Sequence, residues 1–263
     1  MPLPSRPALD VAALRAAISG TEWRHLEVVE ETGSTNADLI GRAAAGEDIA
    51  GAVLLAEFQT AGRGRHGRSW SAPPGSQIAM SVGVDTTGIP AARWGWLPLL
   101  TGLAVASTVR EQLGVDAGVK WPNDVLVGTG KLAGILAEVS APVIVVGLGL
   151  NVTLTADELP DPNAVSLSML GHDTDRTVLA GSLLRALSER LARWRAGDAG
   201  LAAEYRSVST TIGTRVRALL PGDSEIVGFA TDIDEAGRLL IDDAGTTVTV
   251  SAGDITHLRP AEA

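Results

Sequence analysis

Two spacings of apolar residues recur along the first third of the chain, and they predict helices and strands that alternate. Residues 7–19 and 36–45 carry apolar side chains at helical spacing, and each stretch ends at a glycine. Residues 26–30 alternate between apolar and polar positions, which is typical of a strand. Residues 52–58 and 78–84 are continuous apolar runs, as in buried strands. The pattern predicts a mixed α+β domain.

The middle of the chain continues this mixture. Residues 91–113 form a long apolar segment that predicts one helix, and residues 176–195 and 201–206 predict two more. Four further strands are predicted at residues 119–121, 124–127, 131–139 and 143–150. Two polar loops interrupt the pattern, at residues 59–77 and 153–168. A loop as long as residues 59–77 inside a compact domain is usually functional or mobile, so the first loop is a candidate for a binding site.

The pattern changes near residue 210, where short alternating strands replace the helices. The predicted strands are 214–220, 225–233, 239–242 and 246–251, with turn sequences between them. We therefore expect two domains, a larger α+β domain at 1–209 and a small all-β domain at 210–263.

Composition narrows the classes of function. The chain has 263 residues and no cysteine, which excludes disulfides, a thiolate nucleophile and a cysteine-ligated metal. It shows neither the apolar core of a signal peptide nor a run of apolar residues long enough to span a membrane, so we expect a cytoplasmic protein without a membrane partner. A net charge of −10 argues against a nucleic-acid partner.

Lysine is used very sparingly, and its placement draws attention to one region. Arginine supplies almost all the positive charge, whereas lysine occurs only at Lys120 and Lys131. A compact ammonium group and a planar guanidinium are not interchangeable at a binding site. The two lysines are therefore a candidate site.

The first polar loop is a candidate anion-binding segment. No carboxylate lies between Glu57 and Asp85, although the protein is acidic. Glycines allow backbone N–H groups to approach a phosphate, and arginines donate to it through a planar fork. The loop supplies both, with its arginines at Arg63, Arg65 and Arg68. A solvated loop that binds nothing is the alternative.

Residues 62–67 also match the glycine pattern of dinucleotide-binding folds, but the context differs. That motif opens a helix directly after a strand. Here the following residues have no apolar helical stripe, and two prolines end the segment. The match is a weak indication.

Three other segments carry candidate chemistry. Pro122 forces a turn at residues 120–124, where Asn123 and Asp124 either bond their own backbone or contact a nucleotide and Mg²⁺. Lys131 is either an edge charge or a group that stabilises negative charge on an acyl-adenylate. Gly134 indicates close approach of a ligand or backbone.

The remaining motifs are less specific. Residues 32–36 predict a helix cap, which is compatible with a ligand site because helix starts present free N–H groups. The glycines in residues 147–152 indicate close packing at the end of a strand. The sequence has no Gly-x-Ser-x-Gly motif, and its four histidines show no metal-binding spacing.

Taken in order, five of these segments resemble the biotin–protein ligase family. The resemblance extends from about residue 32 to residue 152, and its most specific parts are the Gly/Arg loop and the Lys-Trp-Pro-Asn-Asp sequence. Lipoate ligases share the fold of this family but carry a different Arg- and Gly-rich motif. The matching segments are 33–36, 59–70, 120–124, 130–136 and 147–151.

The resemblance implies a fold and a two-step reaction. The catalytic domain is expected to be α+β with a mixed sheet, similar to class II aminoacyl-tRNA synthetases, and to be followed by a small SH3-like β-barrel. Biotin and MgATP would give biotinyl-5′-AMP, and a lysine of a biotin carboxyl carrier domain of an acyl-CoA carboxylase would then accept the biotinyl group. ATP, Mg²⁺ and biotin would be co-substrates, with no tightly bound cofactor.

The resemblance also implies how the protein acts. The Thr32 segment lies too near the N-terminus to leave room for a winged helix-turn-helix, so we expect a monofunctional ligase that acts as a monomer or weak homodimer. A lipoate or octanoate transferase of the same fold and a non-catalytic biotin sensor are the alternatives.

Roles follow for the matched residues. Lys131, Arg63 and Arg65 would be catalytic, and Asp124 would support Mg²⁺ through water or orient Lys120. The biotin-binding set would be Ser34, Thr35, Asn36, Gln59, Arg63, Gly64, Arg65, Lys131 and Gly134. The ATP-binding set would be Arg63, Arg65, Arg68, Trp70, Lys120, Asn123, Asp124, Asn151 and Arg259.

Overall fold

A seven-stranded mixed sheet lies at the centre of the larger part of the chain. The computed structural model describes residues 6–220, 224–251 and 257–260. The sheet order is β1-β2-β3-β7-β6-β5-β4, and only β1 and β2 are parallel neighbours. The predicted mixed sheet is confirmed. Its strands are β1 (His25–Thr32), β2 (Ala52–Gln59), β3 (Gln77–Asp85), β4 (Ala117–Lys120), β5 (Asp124–Val127), β6 (Gly130–Ser140) and β7 (Val143–Asn151).

Five α-helices accompany this sheet in the described part of the chain. They are α1 (Val11–Ala17), α2 (Thr35–Ala44), α3 (Trp96–Leu113), α4 (Arg176–Arg195) and α5 (Gly200–Val208). Among those same residues, no helix is long and apolar enough to cross a membrane.

The single helix predicted for residues 91–113 was wrong at its start. A short 3₁₀ turn, Ala91–Arg93, precedes α3, which begins at Trp96. Pro98 has no N–H to donate to the carbonyl of Trp94, so that carbonyl accepts from Leu97 at 3.1 Å instead. The proline therefore separates the 3₁₀ turn from the α-helix.

Alternation along the central strands creates two different faces. On β7, the apolar side chains of Ile144, Val146, Leu148 and Leu150 belong to the main core that includes α3 and α4. Val143 and Val145 point the other way and pack with Leu39 of α2. Because side chains alternate along a strand, Gly147, Gly149 and Asn151 also lie on the α2 face. This face is therefore polar and glycine-rich at one end.

A second, antiparallel sheet follows in the order β11-β10-β9-β8-β12. The four predicted strands are confirmed, and the fifth, β12, was missed because it is short and has little alternation. The mixed sheet followed by this small antiparallel sheet confirms the predicted fold class. The strands are β8 (Arg215–Leu220), β9 (Ser224–Ile233), β10 (Leu239–Asp243), β11 (Thr246–Val250) and β12 (His257–Pro260).

The turn between β9 and β10 docks onto the larger sheet through two tryptophans. The indole of Trp96 donates to the carbonyl of Glu235, and the indole of Trp121 donates to the carbonyl of Gly237, both at 2.9 Å. Trp121 is 1% exposed, so its indole N–H needs this partner. The segment that begins at Lys120 is thereby attached to the small β-module.

A buried ion pair ties the start of β3 to its neighbours. Arg176 is 3% exposed and lies 2.7 Å from the Glu57 carboxylate. It also donates to the carbonyls of Gln77 (3.1 Å) and Pro7 (2.6 Å), while Glu57 accepts from the backbone N–H of Leu9 (2.6 Å). This network fixes the backbone of Gln77 beside the site described below.

We expect the variant Glu57→Leu to lose about 3–5 kcal/mol in the free energy of unfolding, because it leaves the Arg176 charge buried without a partner. The matched double variant Glu57→Leu/Arg176→Leu removes both charges and should be less destabilised than the single variant. Urea unfolding at constant pH measures both. A single variant that loses less than the double variant contradicts this role of the ion pair.

Candidate functional site

A pocket of about 290 Å³ opens on the α2 face of the large sheet. The start of α2, the loop after β2, the β4–β5 turn and strands β6 and β7 form its walls. The structure brings together around it every residue named from the sequence except Arg259, whose side chain lies outside the described residues. The residues brought together are Ser34, Thr35, Asn36, Gln59, Arg63, Gly64, Arg65, Arg68, Trp70, Lys120, Asn123, Asp124, Lys131, Gly134 and Asn151.

Two paired glycines make room for Trp70 against the sheet. Gly134 of β6 and Gly149 of β7 lie opposite each other. A Cβ at Gly149 would lie 2.4 Å from the Trp70 indole, and one at Gly134 would lie 3.1 Å from it. The indole N–H donates to the side-chain oxygen of Gln77 at 2.6 Å. Gly134 and Gly149, which we call the glycine strip, and the Gln77 side chain therefore hold the indole against β6 and β7.

Lys131 lies at the centre of the charged part of the pocket. Its Nζ is 2.7 Å from Oδ1 of Asp124 and 5.5 Å from the centre of the Trp70 ring. Its backbone N–H donates to the carbonyl of Asn163 at 2.7 Å, and its carbonyl accepts from Val165 at 2.9 Å. The second polar loop thus fixes the backbone of Lys131, while the ammonium group faces the pocket.

Two arginines of the Gly/Arg loop reach different walls of the same pocket. Arg65 donates to Oδ1 of Asn123 at 3.2 Å, and Arg63 lies 3.3 Å from the Glu138 carboxylate. Burial is the main cause that lowers the pKa of the Arg65 guanidinium; Asp124 opposes this shift, and Arg68 adds to it. Cations that are gathered in a partly buried pocket favour an anionic ligand.

Asp124 forms an ion pair that the sequence did not indicate, with Lys131 on the neighbouring strand. The Lys131 side chain comes this close because it passes over Gly134, the register partner of Asp124. That Asp124 orients Lys120 or supports Mg²⁺ stays a prediction. Within the described residues, no group of three or more His, Cys, Asp or Glu side chains could hold a metal ion.

The two asparagines brace the walls of the pocket. The Asn123 side chain donates to the Ile135 carbonyl, and the Asn123 backbone carbonyl accepts from the Ile135 N–H, each at 2.9 Å. The Asn151 side chain donates to the carbonyls of Lys131 (3.4 Å) and Val165 (3.1 Å). Asn151 therefore holds the backbone at Lys131, Asn123 holds Ile135 farther along β6, and both line the pocket.

The far end of the pocket is polar and buried. Gln59 accepts at Oε1 from the backbone N–H of Thr35 (2.9 Å) and lies 3.1 Å from its hydroxyl. The Ser34 hydroxyl caps α2 by accepting from Ala37 at 3.5 Å, so the cap and the pocket share this residue. Asn36 is 4% exposed. This end suits a compact ligand group with matched hydrogen-bonding atoms.

Sequence reasoning missed three residues that support the site: Gln77, Ser81 and Glu138. Gln77 holds Trp70, while Ser81 and Glu138 bond Asn36. Each is polar and lies in a strand whose other residues are largely apolar. That contrast was the available signal, because a polar side chain in such a strand needs a partner.

Comparison with known proteins gives consistent matches over the whole fold. The family described as "Biotin/lipoate A/B protein ligase family" matches residues 32–152, and "Biotin protein ligase C terminal domain" matches residues 211–258. The biotin–[acetyl-CoA-carboxylase] ligase of Mycobacterium tuberculosis is 54% identical, with 97% of each chain covered.

Two further relatives extend the comparison. The bifunctional ligase/repressor BirA of Escherichia coli is 32% identical over 97% of this chain and 79% of its own length. The structure of the Aquifex aeolicus biotin protein ligase in complex with biotin and ATP superposes with a TM-score of 0.79 and 28% identity. It covers 90% of this chain and all of that one.

We expect Gly149→Ala to displace Trp70, because the new methyl group would overlap the indole at 2.4 Å. The assigned indole N–H resonance of Trp70 should lose the shift that reports its bond to Gln77. Gly41→Ala is the matched control, since nothing lies within 4 Å of a Cβ at that helical position. An unchanged indole resonance in Gly149→Ala would show that the glycine is not required for this packing.

Proposed function

This chain belongs to the biotin protein ligase family, and we propose that it activates biotin with ATP and transfers the biotinyl group to a lysine of a biotin carboxyl carrier domain. The observation that carries the proposal is the convergence of Arg63, Arg65 and Lys131 on one pocket with a buried polar end. The names of its relatives support the same activity.

The first step joins a carboxylate to a phosphoryl group. A biotin carboxylate oxygen attacks the α-phosphorus of ATP, a P–O bond forms, and pyrophosphate leaves. Negative charge on the carboxylate and α-phosphate must be accommodated at their junction. Lys131 and Arg65 would donate to these oxygens, and Lys131 would exchange its ion pair with Asp124 for the ligand.

The second step forms an amide. The ε-amino group of the acceptor lysine attacks the acyl carbon of biotinyl-5′-AMP, and AMP leaves with the former carboxylate oxygen. The mixed anhydride is already activated, so this route needs no nucleophile from the enzyme. The acceptor would be the carrier domain of an acyl-CoA carboxylase, in the cytoplasm, with the ligase acting as a monomer or weak homodimer and without nucleic acid.

The arrangement of the pocket supports the following ligand positions. The biotin head would lie at the polar end with Ser34, Thr35, Asn36 and Gln59, and its chain would run past Gly64 and Gly134. The nucleotide would lie beside Trp70, towards the β4–β5 turn. Its remaining contacts would be Arg63, Arg68, Lys120, Asn123, Asn151 and Arg259.

Mg²⁺ would accompany the nucleotide. Protein sites usually hold this ion through substrate phosphates, water and one or two carboxylates, and not through a cage of side chains. Asp124, a carboxylate of the pocket, fits that pattern. Bound Mg²⁺ would neutralise phosphate charge.

The reaction is tested by supplying labelled biotin, MgATP and a purified carrier domain. We expect label on one lysine of the carrier, and none after that lysine is replaced or ATP is omitted. ATP–pyrophosphate exchange should depend on biotin and not on lipoate. Exchange that depends on lipoate alone would overturn the choice of biotin.

We expect Lys131→Ala to reduce biotin-dependent ATP–pyrophosphate exchange by about 10²–10³-fold, since removing one preorganised donor from a developing charge has effects of this size. Arg24→Ala is a control cation, because Arg24 is half-exposed and paired with Asp48 outside this pocket. Exchange that survives in Lys131→Ala would contradict the assigned role, whereas a native chain that binds biotin without catalysing exchange would favour a protein that only senses biotin.

A further inference from the structure

A chain of short hydrogen bonds runs behind the polar end of the pocket. The hydroxyls of Thr35 and Ser81 are 2.6 Å apart, and Ser81 donates to Oδ1 of Asn36 at 2.6 Å. Nδ2 of Asn36 then donates to the Glu138 carboxylate at 2.8 Å and to the Leu136 carbonyl at 3.1 Å. Ser81 is fully buried and does not line the pocket, so it reaches a ligand only through its neighbours.

The acceptors at one end of this hydrogen-bond network, Glu138 and the Leu136 carbonyl, fix the direction of every bond in it. A carbonyl oxygen and a carboxylate can only accept, so the Asn36 amide must turn its NH₂ group towards Leu136 and Glu138. Arg63 lies 3.3 Å from the same carboxylate, in an ion pair. Oδ1 of Asn36 therefore faces Ser81, and the Ser81 hydrogen must point towards it.

The same logic fixes the Thr35 hydroxyl. Because the Ser81 hydrogen is used on Asn36, the 2.6 Å contact between the two hydroxyls requires the Thr35 hydrogen. Gln59 Oε1, at 3.1 Å, is a second and longer acceptor for the same hydrogen, and it also accepts from the Thr35 backbone N–H. A hydroxyl has one hydrogen, so Thr35 has only lone pairs left for a ligand.

Gly147 makes this arrangement possible. It lies opposite Ser81 in the sheet, and a Cβ there would lie 2.3 Å from Oδ1 of Asn36. A glycine at this position lets the amide lie across β7 between Ser81 and Glu138. The hydrogen-bond network thus requires a glycine at position 147, which is separate from the glycine strip under Trp70.

We propose that Glu138 and Ser81 are positioning residues that set the hydrogen-bond polarity of the pocket, so that Thr35 acts as an acceptor and selects a ligand head with N–H donors. The inference rests on the proposed function, because it explains why a cyclic urea is accepted there. A lipoyl head has no N–H group and would leave the Thr35 acceptor unpaired in a buried site. Unpaired buried polar groups discriminate more strongly than lost apolar contacts.

The test is equilibrium binding of biotin, of biotin N-methylated on the ureido ring and of lipoate to the full chain, measured by calorimetry. For the native chain we expect biotin to bind at least about tenfold more tightly than either of the others. Ser81→Ala removes the shorter of the two contacts that orient the Thr35 hydroxyl and leaves the longer one to Gln59 Oε1. Biotin affinity should therefore fall about tenfold, and the penalty for N-methylation should shrink.

Two variants at Glu138 test whether this side chain acts through its hydrogen-bond acceptor or through its charge. Glu138→Gln keeps an acceptor oxygen for Asn36 and should stay within about threefold of native biotin affinity, whereas Glu138→Leu should lose about tenfold. Glu111→Gln, at an exposed position on α3, is the control. Thermal unfolding identifies any variant that fails to fold. If Ser81→Ala does not fold, the two Glu138 variants still test the proposal.

The outcomes distinguish this inference from the proposed function. If the native chain does not bind biotin, the proposed function itself fails. If the native chain binds biotin but folded Ser81→Ala and Glu138→Leu bind it equally well, only the polarity argument is overturned. If Glu138→Gln loses as much biotin affinity as Glu138→Leu, the polarity argument is also overturned. The charge of Glu138, and not its role as a hydrogen-bond acceptor, would then be the cause.

Discussion

The rest of the site depends on the contact between Lys131 and Asp124. A single carboxylate holds the ammonium group in a half-buried pocket beside Arg65, and it opposes the effect of burial on that arginine. Five cationic side chains line the pocket against two carboxylates, so the pocket retains a preference for a further anion; the cations are Arg63, Arg65, Arg68, Lys120 and Lys131, and the carboxylates are Asp124 and Asp161. A carboxylate meeting an α-phosphate supplies that charge at the position where Lys131 can exchange partners.

The fold delivers these groups from separate parts of the chain. Arg65 comes from the Gly/Arg loop, Asp124 from the first position of β5 and Lys131 from the start of β6. Each is fixed by backbone or buried contacts outside the ligand space: the second polar loop fixes Lys131, and Trp121 attaches the β4–β5 turn to the small β-module. Two features of strand alternation complete the pocket, a glycine strip under Trp70 and a polar row that reaches Asn36.

Local patterns predicted the secondary structure well because helix and strand periodicities depend on nearby residues. They failed at Pro98, where one missing N–H shortened a helix, and at β12, which is too short to show alternation. The segments that form the pocket were found from composition, since glycine, arginine and lysine are unevenly distributed. Pairings across the sheet were not predictable: neither the bond of Asp124 to Lys131 nor the role of Ser81 is visible without strand register.

The most direct test of this account is a crystal structure with a non-hydrolysable biotinyl-adenylate analogue. We expect Lys131 Nζ to leave Asp124 and to lie about 3 Å from an oxygen at the acyl-phosphate junction, with Arg65 donating to the same junction. A bound analogue with Lys131 still paired to Asp124, and with Arg63 and Arg65 directed away from the ligand, would contradict it.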